Sequence, residues 1–156
     1  MKLSSLEECL SLLQNLSIPY KMHRHEPVFN MVEMQQKVPL EKAPFIKNLF
    51  YYDKKNFFYL VLAKSDTQVG KQFWNSLGLS PGNIRMARED HLNEILKVQK
   101  GNVNPFAVAN DSEKKISKIV MDKTLESSEY LAFHPMDNSA TIEIKNADFL
   151  TYLAHF

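Results

Sequence analysis

The chain has one cysteine, four glycines and one tryptophan in 156 residues. A single thiol, Cys9, excludes an internal disulfide and the multi-cysteine zinc clusters, and it points to a reducing compartment, with a cytoplasmic location as the expectation. Nineteen basic against eighteen acidic residues leave a formal net charge of +1. The basic excess of a duplex-DNA binder is therefore missing, and any nucleic-acid contact has to be local. No apolar run approaches the roughly 20 residues that span a bilayer, and the opening Met1-Lys2-Leu3-Ser4-Ser5 has no signal-peptide core, so neither membrane nor DNA is an expected partner. A Walker loop, a Rossmann glycine fingerprint and a Gly-x-Ser-x-Gly elbow are also absent. Nucleotide hydrolysis, dinucleotide redox chemistry and elbow-serine catalysis lose their sequence support with them.

What is present suits one globular domain over residues 1–156. Hydrophobic residues make up 44% and charged residues 24%, and a chain of this length buries about 70% of its unfolded surface. Ser4 and Ser5 precede Glu7 and Glu8 at capping-box spacing, and Leu6, Cys9, Leu10, Leu13 and Leu16 follow at helical intervals. A strand is expected over Ile18–Arg24, and a helix capped by Asn30 runs through Val38. Ile46–Tyr52 and Phe57–Ala63 read as a hairpin across Asp53-Lys54-Lys55-Asn56, with much of both faces covered. Asp66 or Thr67 is expected to cap a helix through Leu77. A short strand over Ile84–Ala87 then leads to a helix from His91 to Lys100 that stops at Gly101. Phe106–Ala109 and Ile116–Met121 read as a second hairpin, Tyr130–Phe133 and Thr141–Ile144 as strands, and Asn146 as the cap of a closing helix. The sum is a mixed α/β fold: a roughly six-stranded sheet or partial barrel with peripheral helices.

Three segments carry candidate chemistry. Lys47 stands in the apolar run Phe45-Ile46-Lys47-Asn48-Leu49-Phe50, where an ammonium either anchors an anionic or carbonyl-bearing ligand or snorkels to solvent from a strand end. Gly101-Asn102-Val103-Asn104-Pro105 either fixes a loop whose N–H groups point into a cleft or simply ends a helix before a strand. In Phe133-His134-Pro135-Met136-Asp137-Asn138, His134 can hydrogen-bond a ligand or be a satisfied structural histidine, while Asn138 can pin the loop. His23 and His25 share a strand face as zinc pairs do, but no third ligand stands at a matching spacing, so neither metal nor cofactor is expected.

Taken together, Lys47-Asn48-Leu49-Phe50 before a hairpin, Gly101-x-x-x-Pro105-Phe106, and Phe133-His134-Pro135 followed by Asn138 and Thr141 resemble the YbaK-like, prolyl-tRNA synthetase-associated editing domains. The likeness extends from His25-Glu26-Pro27-Val28-Phe29 to Asp148-Phe149-Leu150. It implies a compact α/β domain that hydrolyses the ester of a mischarged aminoacyl-tRNA. By this resemblance Lys47 is the essential catalytic lysine, and Asn48, Gly101, Pro105, His134 and Asn138 shape or contact the substrate. The implied partners are the acceptor end of tRNA(Pro) and prolyl-tRNA synthetase, in cis or in trans. Alanine is the implied amino acid, with a Cys-tRNA(Pro) deacylase or a catalytically silent tRNA- or synthetase-binding module as alternatives. Where the family often has a small, glycine-containing segment and a threonine before the lysine, this chain has Ala43-Pro44-Phe45-Ile46. A bulkier pocket wall is expected there, acting on amino-acid choice more than on the fold.

Overall fold

Ser5 accepts a hydrogen bond from the Glu8 N–H and starts helix α1, Leu6–Asn15, whose Leu6, Cys9, Leu12 and Leu13 face inward. The computed structural model describes residues 2–156. Strand β1 is Lys21–Arg24, helix α2 is Met31–Lys37, and the long antiparallel hairpin is β2, Ile46–Asp53, with β3, Phe58–Lys64. Helix α3 spans Lys71–Ser76, β4 is only Ile84–Met86, and α4, Glu89–His91, runs into a π-helical turn over Leu92–Leu96. A 3-10 helix at Pro105–Asn110 leads to β5, Ile116–Met121; then come α5, Lys123–Glu126, β6, Tyr130–Phe133, β7, Ala140–Lys145, and α6, Asn146–Leu153.

The strands form two sheets rather than one of roughly six strands: a three-stranded sheet ordered β1-β7-β6 and a four-stranded sheet ordered β4-β2-β3-β5. They share one core. Leu60 and Leu62 of β3, Leu131 and Phe133 of β6, and Ile142 and Ile144 of β7 join α6's Phe149 and Tyr152 in a single buried cluster. The outer face of the four-stranded sheet is covered by Trp74 of α3, packed on Val61, Ala63 and Val120. β3 is therefore buried on both faces from Phe58 to Ala63, whereas β2 buries fully only Ile46 and Phe50.

Several expected elements fold differently, each for a local reason. The second hairpin does not form. Asn104 accepts from the N–H groups of Phe106 and Ala107, and Pro105 stands at the first helical position, so Phe106–Ala109 turns into the 3-10 helix. β5 instead pairs parallel with β3. The helix expected to stop at Gly101 ends at Lys97 in the left-handed region, φ 58°, where the Asn110 amide donates to the Leu96 carbonyl at 2.8 Å. α3 starts after Gly70, because Thr67 instead donates its hydroxyl proton to Asp122. β1 starts at Lys21 rather than Ile18, whose N–H closes the end of α1 on the Leu13 carbonyl. Asn146 is the first residue of α6, its amide spent on the carbonyls of Leu125 and Ser128 rather than on a cap.

Asn110 is 3% exposed and ties three segments, since it also bonds both the N–H and the carbonyl of Leu3. Asn110→Ala leaves these groups unpaired in the core. We expect a loss of about 3 kcal/mol in urea unfolding at an unchanged m-value. A loss below about 1 kcal/mol would show that the amino-terminal segment is held by other contacts.

Candidate active site

β4 pairs with β2 only at Tyr51, Tyr52 and Asp53, and the Ala87 N–H adds one bond to the Phe50 carbonyl. Beyond that point no strand among the described residues pairs with β2 on this side. The bonds from Ser65 to Phe45 and from Asp53 to Phe57 fix the odd-numbered residues of β2 as those bonded to β3. Ile46 and Asn48 therefore turn their backbone N–H and C=O groups to the open edge. Asn48 shares its face with Ile46 and Phe50, and Lys47 lies on the alternate face with Leu49. Residues of both faces border the cavity that fills the place of the missing strand.

This cavity has a volume of about 670 Å³, and Lys47, Asn48, Gly101 and His134, from three distant segments, all line it. Pro105 and Asn138 do not. Pro105 is buried in the first turn of the 3-10 helix, and Asn138 clamps Val28 by donating its amide to the Val28 carbonyl at 3.0 Å while accepting the Val28 N–H at 3.2 Å. Lys47 is half-buried rather than enclosed. Among the described residues neither it nor Lys100, a second cation on the cavity, pairs with a carboxylate. The third cation, Arg88, is engaged by Asp90 at 3.1 Å and by the Tyr52 hydroxyl at 3.0 Å.

The Gly101 loop is organised from inside by Asn104, which is wholly buried and donates to the Asn102 carbonyl at 3.1 Å. Gly101 has φ +87°, and a Cβ there would meet nothing within 4 Å, so the backbone conformation rather than space calls for glycine. The Asn102 N–H is used on the Gln99 carbonyl. Among the described residues the N–H groups of Gly101 and Val103, both on the cavity, have no acceptor. The Asn48 side-chain oxygen is likewise buried without a donor.

His134 is held by β7. Its Nδ1 donates to the Ala140 carbonyl at 3.0 Å, and the Thr141 hydroxyl lies at 3.2 Å. Thr141 also meets Nε2 of His25 at 2.8 Å, while the other His25 nitrogen donates to the Glu26 carbonyl. Burial lowers the His134 pKa, against the opposing pull of the Ala140 carbonyl, and nearby His25 adds to the lowering. The ring is thus neutral near pH 7, with Nε2 left as an acceptor.

Glu143, two residues along the same face of β7, is 3% exposed. One carboxylate oxygen accepts the consecutive N–H groups of Glu41, Lys42 and Ala43 at 3.0, 2.8 and 2.9 Å, and the other meets His23 at 2.8 Å. Burial would raise this carboxyl, but the Lys42, Ala43, His23 and Glu41 donors outweigh it and hold the pKa below the ordinary value. His23 is therefore engaged by a carboxylate, and among the described residues no group of three metal-capable side chains forms.

The segment expected to wall the pocket contributes only Ile46. Ala43 is tied to Glu143, and Phe45 packs on the separate cluster of Val28, Met34 and Val38. The apolar wall comes instead from Met31 and Met34 of α2 with Ile46 and Phe50. The three-residue spacing of the methionines on one helix was the available signal for that wall. For Glu143 it was the polar–apolar alternation of Thr141-Ile142-Glu143-Ile144.

Two small sheets around one core, with an apolar cleft at an open strand edge and cations and unpaired amide groups among its lining residues, define this α/β domain. The sequence pattern of the aminoacyl-tRNA editing domain matches residues 25–152, and the chain belongs to that family of aminoacyl-tRNA deacylases. It is 35% identical over 151 residues to the prolyl-tRNA editing protein ProX of Acetoanaerobium sticklandii, covering 95% of this chain and 90% of that one. It is 36% identical over 145 residues to the prolyl-tRNA synthetase associated domain-containing protein 1 of Bos taurus, covering 90% and 84%. In fold it matches the crystal structure of a proposed trans-editing enzyme for prolyl tRNA synthetase, with a TM-score of 0.70 at 16% identity over 98% of this chain and 94% of that one.

Glu143→Gln places an amide among N–H donors that need an acceptor, so the variant should be less stable than the parent at neutral pH. Because the folded-state pKa is depressed, the carboxylate's contribution is complete above the unfolded value of about 4.3 and is lost as pH falls through the folded value. Denaturant unfolding from pH 7 to pH 3 should show the gap between parent and variant closing on the acid side. A gap constant with pH would rule out the ionised carboxylate as its source.

Proposed function

We propose that this protein hydrolyses the ester of mischarged tRNA(Pro), with alanine as the preferred amino acid, acting beside or appended to prolyl-tRNA synthetase. The observation that carries this reading is the convergence of Lys47, Asn48, Gly101 and His134 on one apolar-walled cavity. The relatives' names, a prolyl-tRNA editing protein and a prolyl-tRNA synthetase associated domain protein, support the choice of tRNA. A wall of two methionines, an isoleucine and a phenylalanine suits a small apolar side chain.

Each polar group then has a part. The Lys47 ammonium meets the terminal phosphate. The Asn48 side-chain oxygen, without a donor among the described residues, accepts from the α-ammonium of the amino acid. The free N–H groups of Gly101 and Val103 receive the ester carbonyl oxygen and the negative charge that develops on it. Nε2 of His134 accepts from the vicinal ribose hydroxyl and fixes the sugar. Water adds to the carbonyl carbon, the bond to the ribose oxygen breaks, and that oxygen takes up the proton that water releases. The products are a free amino acid and an uncharged tRNA end. No enzyme nucleophile stands in this scheme, and rate comes from positioning and preorganised donors.

Single-turnover deacylation of Ala-, Cys- and Ser-tRNA(Pro) tests the reading: alanine should be released fastest, and Lys47→Ala should lower kcat/KM at least about a hundredfold while the fold is kept. Turnover of none of the three, or full turnover by Lys47→Ala, would refute it. The neutral His134 gives a second expectation. Its lowered pKa puts the acid limb of the rate profile below the ordinary histidine value of 6.5, so kcat/KM should show no fall on the acid side between pH 8 and about 6.5, the one ionisation expected in that range being the substrate's own α-ammonium at about 7.7–8.0. A loss of rate on the acid side with its inflection at or above 6.5 would show His134 titrating there and remove its role as a neutral acceptor.

A further inference from the structure

Phe29 is 77% exposed, the highest value among the large hydrophobic residues exposed on this surface, yet its backbone is firmly held. Its N–H donates to Glu33 at 3.2 Å, the next residue, Asn30, caps α2, and the preceding Val28 is clamped from both sides by Asn138. A solvent-facing aromatic ring on a held backbone has little to do for the core. It stands on a ridge. Phe29, Lys100 and Gly101 line both the cavity described above and a neighbouring polar groove of about 500 Å³. The groove also holds Asn102, whose side-chain oxygen is buried without a donor. Its one carboxylate, Asp137, accepts the N–H and hydroxyl of Ser139 on one oxygen.

We infer that Phe29 is a stacking platform for the penultimate nucleotide of the tRNA acceptor end, and that the groove beyond it is the subsite for that nucleotide. The inference rests on the function proposed above and extends it by one residue of the substrate. A cavity of about 670 Å³ takes an aminoacyl-nucleoside, so the rest of the single strand has to leave across the rim. An aromatic face accepts any base by stacking. Lys100, unpaired among the described residues and common to both compartments, is placed for the phosphate on the 5′ side of the penultimate nucleotide, Lys47 taking the one that joins the two nucleotides.

Kinetics with substrates of two lengths test this. Phe29→Ala should lower kcat/KM on Ala-tRNA(Pro) about tenfold, mainly through KM, and leave 3′-O-alanyl-adenosine, which has no penultimate nucleotide, unaffected. Phe29→Trp should restore the tRNA reaction. Equal losses on both substrates would make Phe29 a support of the cavity and overturn the inference, as would no loss on the tRNA, which would send the strand out past Met86 and Arg88. A second measurement is independent of catalysis: uncharged tRNA(Pro) carrying 2-aminopurine at the penultimate position should lose fluorescence on binding, and Phe29→Ala should abolish that quenching. Binding without quenching in the parent protein refutes the platform whether or not any ester is cleaved.

Discussion

The carboxylate of Glu143 is the constraint on which the geometry of the site depends. It is almost fully buried and accepts three consecutive backbone N–H groups in the connection between α2 and β2. α2 supplies the methionine wall and β2 supplies Lys47 and Asn48, so one side chain of the three-stranded sheet sets how two walls of the cleft meet. Thr141, on the same face, sets a third through His25 and His134. The polar face of this small sheet is a bracket that holds the four-stranded sheet's open edge at a fixed distance from the histidine. Loss of a bracket of this kind is felt as misalignment of every group at once rather than as loss of one contact.

Much of the fold was legible because periodicity and local signals agreed. α1, the β2–β3 hairpin and the last two strands follow directly from their apolar patterns and caps. The readings that changed are those in which one polar side chain redirected the backbone. Asn104 made a 3-10 helix of a segment with strand composition, although Asn-Pro was itself a capping signal. Asn110 ended a helix early from 14 residues away in the chain, a contact that no local window contains. The split into two sheets was equally out of reach, since β5 joins β3 in parallel across a long crossover, whereas neighbouring strands suggested another hairpin.

The site shows the same division. Lys47, Asn48, Gly101 and His134 were identified by motif and do share a cavity, because motif residues mark places where the chain is held to one geometry. Pro105 and Asn138 belong to the same motifs but act on backbone: one shapes the turn and the other clamps Val28. Met31 and Met34 carry no motif, and Phe29 stands in the segment where the likeness begins without a part assigned to it there. Their part is decided by which face of a short helix, and which side of a ridge, they occupy, and that depends on packing between elements far apart in sequence.

The open edge of β2 has a further consequence. An unpaired strand edge is ordinarily a liability, since it offers its ladder to any passing chain; here it lies within a cleft bordered by α2, the Gly101 loop and the turn after β4. The donor and acceptor it presents at position 48 belong to the main chain. A contact made through those groups, unlike one made through the Asn48 side chain, is indifferent to which side chain stands there, proline excepted, so two proteins can share it while their sequences at the position have nothing in common.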